Sequence, residues 1–293
     1  MSKSCPAKVH RVAVIVTTYN RPRALAWVLA ALSKQTRSAD QIVIADDGSG
    51  SETAQLIQSW AEFFREHLPV TAVTHVWQPD EGFRAARARN RAVELARRQG
   101  NPDILIFLDG DCIAPPWFIQ NHLALLEEGR LVAGGRGLLT QSFTEILEQS
   151  PPSVEQESIE LALKSFRSPY WLWLTKRCDR YLSMQPSASS IWIGLRDRRS
   201  ADDSLVRTCN LSMWTRDFIA VNGFNESFVG WGLEDTDLAV RLLNGGVKVR
   251  SGRFATNVFH LWHPERSRDQ LPSNEELLRA SRNIQSTAKA RGS

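Results

Sequence analysis

Short apolar runs alternate with longer amphipathic stretches along the first half of the chain. The runs are rich in β-branched residues, which predicts buried strands at 12–16, 41–45, 70–76 and 104–108. In the stretches between them, apolar residues recur every three or four positions, which predicts helices at 24–35, 52–64 and 85–99. Strands and helices that alternate with short links form a parallel sheet with right-handed crossovers, so the sequence predicts an α/β fold.

The alternation ends near residue 137, and we divide the chain into 1–137, 138–205, 206–270 and 271–293. The second part is predicted as an insertion: 141–166 is helical and acidic around Pro151-Pro152, and 168–199 is rich in Trp, Ser and Arg with weak periodicity. In the third part we predict strands at 206–213, 247–250 and 255–260 and a helix at 234–244. The last part is a polar tail with a helix predicted at 275–290.

Composition limits the class of protein. The chain has 293 residues, of which 42% are apolar, so wholesale disorder is excluded. Its apolar runs are far shorter than the roughly 20 residues that span a bilayer, and its first ten residues lack the apolar core of a signal peptide. We therefore expect a cytoplasmic protein whose four cysteines, at 5, 112, 178 and 209, are reduced thiols rather than a zinc knuckle or a redox pair.

Charge and aromatic content suggest the chemistry of the partners. The formal net charge of +4 favours anionic partners such as phosphates, nucleic acid or lipid headgroups. Ten tryptophans provide surfaces on which a sugar or a base can stack. Because the sequence has no helix-turn-helix, RNA-binding or zinc signature, we do not expect a nucleic-acid partner.

Polar clusters follow three of the predicted strands, at 17–20, 46–49 and 109–111. Ligands of such sheets bind outside the carboxyl ends of the strands, so the clusters should converge on one crevice. Asp109 and Asp111 can face one divalent cation, Mg²⁺ or Mn²⁺, which in turn binds a diphosphate; the alternative is an ordinary turn. In Asp46-Asp47-Gly48-Ser49, a carboxylate can accept a hydrogen bond from a nucleobase or a ribose, or the segment can be an ordinary capped turn.

The helix predicted after residue 84 carries six arginines over 84–98. Most of them fall on a stripe that water can solvate. Arg84 opens the helix, whereas Arg89 falls among apolar positions, where a charge needs a partner. These two arginines are candidates for contact with a diphosphate or for a structural pair with an acidic residue at a strand end.

The segment 228–238 carries the densest set of candidate functional groups. Glycines flank Trp231, which predicts a mobile loop whose indole can stack on a sugar. Glu234 and Asp235 open the next helix, where acidic residues also serve as caps. The functional interpretation makes Asp235 a general base and Glu234 a carboxylate that positions the substrate. Asp237 is expected to form a surface pair with Arg241.

His260 and His263 are candidates for completing the site that Asp109 and Asp111 begin. In a strand, a spacing of three residues directs two side chains to opposite faces. We therefore expect only one of the two histidines to reach the cation, and either histidine can instead be structural.

Five short segments, taken together with their order along the chain, resemble the inverting glycosyltransferases of family 2, which have the GT-A fold. The first half contributes 14–21 (VIVTTYNR), 43–49 (VIADDGS) and 107–111 (FLDGD). Gly82-Phe83-Arg84 with Arg89-Asn90, and 223–226 followed by 230–235, are similar to β-1,4-galactosyltransferases and to enzymes of the bacterial chondroitin-polymerase type. The resemblance covers about 12–137 and 206–264.

On the donor side, the resemblance implies a role for each matching position. Thr17, Tyr19 and Asp47 match residues that hold the uracil and ribose of a UDP-sugar. Arg84 matches a basic residue near the base and the phosphates, and Asp109 begins the D-x-D motif that contacts the nucleotide and its metal.

On the metal and acceptor side, Asp111 matches the second acid of the D-x-D motif, which contacts the metal directly. His260 aligns with the late metal-ligand histidine, with His263 in reserve. Asp235 matches the catalytic base, and Glu234 matches an acceptor-binding carboxylate beside Trp231. Thr236 stands where the galactosyltransferases carry a further acid, and this departure weakens the transfer of their exact donor or acceptor to this chain.

The resemblance implies a metal-dependent, inverting transfer of galactose, glucose or an N-acetyl derivative from a UDP-sugar to a hydroxyl of a glycan or glycolipid, as in polysaccharide biosynthesis. Mn²⁺ or Mg²⁺ is the implied cofactor. Residues 1–137 would bind the nucleotide-sugar and 206–270 would bind the acceptor and perform catalysis. Peripheral contact with the inner face of a membrane stays open, and the Trp-rich segment 168–199 is the place for it or for acceptor selectivity.

Two other functions are weighed against this one. A sugar-phosphate nucleotidyltransferase would carry a Gly-rich phosphate loop after the first strand, whereas 17–22 contains no glycine. A non-catalytic protein that binds glycan or nucleic acid would use the arginine stripe and the tryptophans.

Overall fold

The computed structural model describes residues 10–166, 168–179, 193–265 and 267–290. Predictions for other positions, among them Cys5 and part of the insertion, lie outside the described residues. None of the helices in the described ranges is both long enough and apolar enough to cross a membrane.

Within those ranges, the strands are β1 (Val12–Thr18), β2 (Gln41–Asp46), β3 (Ala72–Trp77), β4 (Ile104–Asp109), β5 (Cys112–Ile113), β6 (Arg130–Ala133), β7 (Arg136–Leu138), β8 (Asn210–Trp214), β9 (Lys248–Ser251) and β10 (Val258–His260). The helices are α1 (Pro22–Ser33), α2 (Ser51–His67), α3 (Ala85–Gly100), α4 (Phe118–Leu125), α5 (Gln141–Gln149), α6 (Gln156–Leu163), α7 (Pro169–Leu174), α8 (Ile193–Arg196), α9 (Thr215–Ala220), α10 (Glu234–Asn244) and α11 (Leu271–Ala290).

The central sheet has the strand order β3-β2-β1-β4-β8-β6-β9. Strands β3, β2, β1 and β4 are parallel to one another, and β8 is antiparallel to both of its neighbours. A smaller sheet has the order β5-β10-β7. The predicted α/β fold, with a mostly parallel central sheet flanked by helices, is therefore confirmed.

Apolar residues cover both faces of this sheet. Successive side chains of a strand point to opposite faces, so Val14 belongs to the same core layer as Leu29 and Trp60, while Ile15 belongs to the other layer with Leu238. Helices α1 and α2 therefore cover one face, and α3 and α10 cover the other. Burial on both faces explains why the strands are continuous apolar runs in the sequence.

The register of the parallel strands aligns their carboxyl ends. Thr17 on β1 lies beside Asp109 on β4, and Thr18 lies beside Asp46 on β2. The three polar clusters that follow these strands therefore meet at one edge of the sheet, as predicted.

Several predicted strand boundaries are wrong, because the sequence pattern does not show where along an apolar run a strand begins or ends. The third strand begins at Ala72 instead of residue 70, because Val70 lies in an exposed turn that precedes it. The strand predicted at 206–213 is Asn210–Trp214, and the one at 255–260 is reduced to Val258–His260. The short elements β5, β6, β7, α4 and α9 were not predicted, since two to eight residues are too few to show a period.

A fully buried histidine, His122 on α4, supports the sheet beneath β8. Its Nε2 lies 2.9 Å from Asn210 Oδ1, and its Nδ1 lies 2.8 Å from Ser212 Oγ. Because an amide oxygen only accepts, Nε2 donates to Asn210 and Nδ1 accepts from the Ser212 hydroxyl in the neutral ring. Burial lowers the pKa of His122 to about 4.

We expect His122 to make the protein less stable in acid. Below pH 6.5 the unfolded chain binds a proton that the folded chain excludes until pH about 4, so the free energy of unfolding falls by up to about 3 kcal/mol across this window. Urea denaturation between pH 4 and 8 measures this slope. His122→Gln should remove it, and His67→Gln, at an exposed position, should not. An unchanged slope in His122→Gln would contradict this assignment.

Candidate functional site

A cleft of about 1060 Å³ opens at the carboxyl ends of β1 and β4. It is bounded by the loop before α10, by the segment after β10 and by α11. The cleft is lined by eleven of the candidate residues, which are Thr17, Tyr19, Asp47, Arg89, Asp109, Asp111, Trp231, Glu234, Asp235, His260 and His263. Positions that are more than 200 residues apart in the sequence thus share one cavity.

The Arg84 side chain is not part of this lining. Its main-chain N–H donates to Asp47 Oδ2 over 2.8 Å, and its Nε donates to the carbonyl of Glu81 over 3.5 Å. Arg84 therefore contributes to the cleft through its backbone, by holding the Asp47 carboxylate.

Two adjacent carboxylates after β2 have different surroundings. Asp47 is held by Arg84 N–H and by Gln78 Nε2, which donates to Oδ1 over 2.7 Å, and Asp47 lines the cleft. Asp46 points the other way, to His75 Nε2 at 2.8 Å and to the N–H of Ser49 at 2.8 Å. Burial alone would raise the pKa of Asp46, but the hydrogen bonds from His75 and Ser49 outweigh it, and the pKa is lowered. Asp46 shapes the turn, and Asp47 faces the ligand space.

Arg89 on α3 lies between two groups of carboxylates. Its Nη2 is 3.3 Å from Asp109 Oδ1, its Nη1 is 3.1 Å from Glu234 Oε1, and its Nε donates to Thr17 Oγ1 over 2.9 Å. The residue is only 3% exposed, so water does not compete for these bonds. The sequence allowed for either a diphosphate contact or a structural pair with a strand-end acid, and the structure shows this pair.

The two carboxylates that Arg89 joins are themselves withdrawn from water. Burial raises the pKa of Asp109, with Asp111 adding to the effect and Arg89 opposing it. Burial also raises the pKa of Glu234, helped by the neighbouring Asp235 and opposed by Arg89. A site that crowds carboxylates at low solvation attracts a cation, because a cation relieves their mutual repulsion.

Asp111 is surrounded by basic groups. Arg21 donates from Nη1 to Asp111 Oδ2 over 2.8 Å and from Nη2 to Glu148 Oε1 over 2.7 Å. His260 Nε2 lies 3.5 Å from Asp111 Oδ1, and His263 Nε2 lies 3.7 Å from Oδ2. The prediction that the two histidines point to opposite faces is therefore wrong. The strand β10 ends at His260, so the alternation of a strand does not extend to His263.

The small sheet brings His260 to the carboxylates. In its register His260 pairs with Cys112, directly after Asp111, and the N–H of Leu261 donates to the carbonyl of Asp111. One ligand atom from each of Asp111, Cys112 and His260 lies within 4.8 Å of the others. Burial lowers the pKa of His260, which keeps the imidazole in the neutral form that binds cations. The carboxylate of Asp111 and the neutral imidazole of His260 therefore fit a divalent cation.

Two cysteines distant in sequence also meet here. Cys112 and Cys209 are buried free thiols close enough to interact, and burial together with Cys209 raises the pKa of Cys112 well above its usual value. Arg136 Nη1 lies 3.7 Å from Cys209 Sγ and lines the cleft. Cysteine spacing gave no sign of this pair, because the sheet topology alone creates it.

The loop before α10 has an unusual backbone. Gly230 and Gly232 have φ angles of 75° and 102°, and Leu233 has a φ of 76°, which disfavours any residue with a side chain by about 1–2 kcal/mol. A Cβ on Gly230 would approach Gln270 to 2.7 Å. Trp231, 42% exposed, lies under the Arg268 guanidinium at 5.3 Å. The loop therefore presents an indole at the mouth of the cleft.

The first turn of α10 separates two acidic residues by environment. Asp235 faces the cleft, and its Oδ1 accepts from the N–H of Thr236 over 2.8 Å, which orients the carboxylate. The predicted surface role of Asp237 is wrong, because this side chain is fully buried. It accepts from Arg241 Nε over 2.8 Å and from the Ser281 hydroxyl over 2.6 Å, and so ties α10 to α11.

Sequence reasoning missed Arg21 and Arg136, which line the cleft. Arg21 lies within a quoted motif, but no periodic or spacing signal indicated that its guanidinium would reach Asp111. Their contacts cross more than 70 residues, so only the folded chain reveals them.

Two family models match consecutive parts of the chain. Residues 13–175 match the family described as Glycosyl transferase family 2, and residues 199–264 match the model described as N-terminal domain of galactosyltransferase. The first match covers more than half of the chain.

Curated relatives agree with this match. Validoxylamine A glucosyltransferase of Streptomyces hygroscopicus subsp. jinggangensis is 28% identical over 83% of this chain and 53% of its own. Chondroitin synthase of Escherichia coli is 23% identical over 82% of this chain and 33% of its own. The chain thus spans about half of the former relative's length and a third of the latter's.

Solved structures share the fold. The mannosyltransferase PcManGT from Pyrobaculum calidifontis, in complex with GDP-Man and Mn²⁺, has a TM-score of 0.55 at 17% identity, over 98% of this chain and 66% of that one. GalNAc-T7 with UDP, GalNAc and Mn²⁺ has a TM-score of 0.57 at 13% identity, over 88% of this chain and 45% of that one. The expected GT-A fold is confirmed.

We expect Arg89→Met to destabilise the protein by about 3–5 kcal/mol, because it leaves Asp109 and Glu234 buried without their counter-charge. Denaturant unfolding measures this change. Arg91→Met, on the exposed side of the same helix, should stay within about 0.5 kcal/mol of the parent.

A double variant tests the cause. Adding Glu234→Gln to Arg89→Met removes one of the unpaired carboxylates and should recover part of the lost stability. Stability equal to that of the parent in Arg89→Met alone would show that the guanidinium is not needed there.

Proposed function

This chain belongs to glycosyl transferase family 2, and we propose that it transfers a hexose from a UDP-sugar to a hydroxyl of a glycan or glycolipid, with inversion at the anomeric carbon. The sugar is galactose, glucose or an N-acetyl derivative. The relatives are named a glucosyltransferase and a chondroitin synthase, which supports transfer of a sugar of this class.

The observation that carries the proposal is that one side chain, Arg89, contacts carboxylates on both sides of the cleft. Arg89 touches Asp109, at the end of β4, and Glu234, at the start of α10, with both distances at or below 3.3 Å. The strand-end carboxylates and the acidic pair of α10 therefore face the same space. Residues 1–137 would supply the donor side of that space and 206–270 the acceptor side.

On the donor side, Thr17, Tyr19 and Asp47 would hold the uracil and ribose. The Asp47 carboxylate is fixed by Gln78 and by the Arg84 N–H, so it can accept from a ligand N–H or hydroxyl without reorienting. Tyr19 donates to Asp80 over 2.8 Å, which holds its ring beside the cleft. One solved structure of this fold holds GDP-Man and another holds UDP, so the nucleobase of the donor has to be tested directly.

Asp109, Asp111 and His260 would hold Mn²⁺ or Mg²⁺. When bound, such a cation supplies positive charge that stabilises the departing diphosphate. Asp111 lines the cleft, with Arg21 at 2.8 Å from its carboxylate and both histidines within 3.7 Å. Mn²⁺ accompanies the nucleotide in both of those solved structures.

On the acceptor side, Asp235 would take the proton from the attacking hydroxyl. Its carboxylate is oriented by the Thr236 N–H and lies in the first turn of α10, beside the buried Glu234. Glu234, held by Arg89, would position the acceptor, and Trp231 would stack on its sugar ring. A hydroxyl deprotonated at Asp235 attacks the anomeric carbon opposite to the leaving diphosphate, so an α-linked donor yields a β-linked product.

The metal assignment predicts a nucleotide-dependent gain in thermal stability. With Mn²⁺ and UDP near one hundred times their dissociation constants, we expect the Tm to rise by about 5 °C. Asp111→Asn should abolish the Mn²⁺-dependent part, whereas Glu52→Gln, an exposed carboxylate on α2, should keep it. A rise with GDP but not with UDP would show that the site takes guanine rather than uracil. No rise with either nucleotide would contradict the proposed donor site.

The assignment of Asp235 as the general base predicts that Asp235→Asn lowers the rate of sugar transfer by about 10²–10⁴-fold, while the thermal response to UDP and Mn²⁺ is unchanged. UDP release with a panel of soluble saccharide acceptors measures the rate, and Glu52→Gln is again the control. Proton NMR of the product gives the anomeric configuration. Near-normal turnover in Asp235→Asn, or an α-linked product from an α-linked donor, would refute the mechanism.

A further inference from the structure

The segment around α7 is basic. The segment 164–180 contains five basic residues and one acidic residue, a formal net charge of +4. Such an excess of basic side chains in one short segment favours an anionic partner at that place.

The same segment exposes large apolar side chains. Trp171 is 60% exposed and Leu174 46%, and Tyr170 and Trp173 are about half exposed beside them. We refer to these four residues as the aromatic patch. Leu172, on the opposite side of α7, is buried in the core and anchors the helix. Exposed apolar groups gathered on a single short helix indicate an interaction surface.

The aromatic patch is connected to the rim of the cleft. The N–H of Thr140 donates to the carbonyl of Arg177 over 3.0 Å, and the N–H of Asp179 donates to the carbonyl of Leu138 over 2.9 Å. Leu138 and Leu139 line the cleft, and Leu139 forms a β-bridge with Cys178. The segment that directly follows the aromatic patch is therefore tied to the wall of the cleft.

We propose that the aromatic patch, with Lys164 and Lys176, docks the protein on a bilayer that carries anionic headgroups, and thereby presents a glycolipid acceptor to the cleft. The inference rests on the proposed glycosyl transfer. Tryptophan and tyrosine favour the boundary between acyl chains and headgroups, and exposed lysines beside them attract anionic lipid. Leu174 favours a bilayer over a soluble glycan, because an aliphatic side chain gains from acyl chains and offers no stacking face to a sugar.

Sedimentation with sucrose-loaded vesicles tests the docking. The full chain should bind vesicles of phosphatidylglycerol and phosphatidylcholine, and should bind pure phosphatidylcholine far more weakly. Trp171→Ser with Leu174→Ser should weaken binding to the anionic vesicles by at least about tenfold, as should Lys164→Glu with Lys176→Glu. Controls of the same kind elsewhere, Ile219→Ser and Arg98→Glu, should bind as the parent does.

Lipids with brominated acyl chains provide a test of insertion. They should quench part of the tryptophan fluorescence of the parent, and Trp171→Phe should lose part of that quenching. The thermal response to UDP and Mn²⁺ should be the same in all of these variants, so a failure of docking is separable from a failure of the donor site. Equal binding to neutral and anionic vesicles would overturn the proposal. So would undiminished binding by the two double variants, Trp171→Ser with Leu174→Ser and Lys164→Glu with Lys176→Glu. So would occupation of the patch by a soluble oligosaccharide with no binding to vesicles.

Discussion

The buried guanidinium of Arg89 holds the two halves of the cleft in register. It reaches Thr17 on β1, Asp109 on β4 and Glu234 on α10 within 3.3 Å, from a position that water barely touches. A buried charge is tolerated only when its donors are met, so α3, the strand ends and α10 must approach in one arrangement. The relative placement of donor-side and acceptor-side carboxylates follows from that requirement.

A second constraint is the short strand pairing that carries His260. Because β10 pairs with β5 so that His260 lies opposite Cys112, the histidine reaches the carboxylate of Asp111 from 149 residues further along the chain. Strand β10 also pairs with β7, and Leu139 directly after β7 forms a bridge with Cys178, which connects the candidate cation site and the cleft wall to the segment after α7. Three residues of strand thus organise the side of the site that the central sheet does not reach.

Another buried arginine performs a similar role at the edge of the sheet. Arg250 on β9 donates to Asp197 and to the carbonyl of Leu125, over 2.8 and 2.9 Å, and pairs with Glu127. Asp197 belongs to the end of the insertion, a part of the chain with little periodicity. In both places, an ionic contact of well-defined geometry fixes a segment that apolar patterning alone leaves free.

The sequence by itself determined the elements whose periodicity extends over many residues, and the positions of the acids that follow them. The parallel sheet, its flanking helices and the convergence of Asp47, Asp109 and Asp111 follow from strand polarity, because the carboxyl ends of parallel strands lie at one edge. Only the tertiary structure decided that His263 accompanies His260, that Asp237 is buried, and that Arg21 and Arg136 enter the cleft. Those outcomes depend on where short strands end and on contacts across many residues, and neither leaves a periodic trace in the chain.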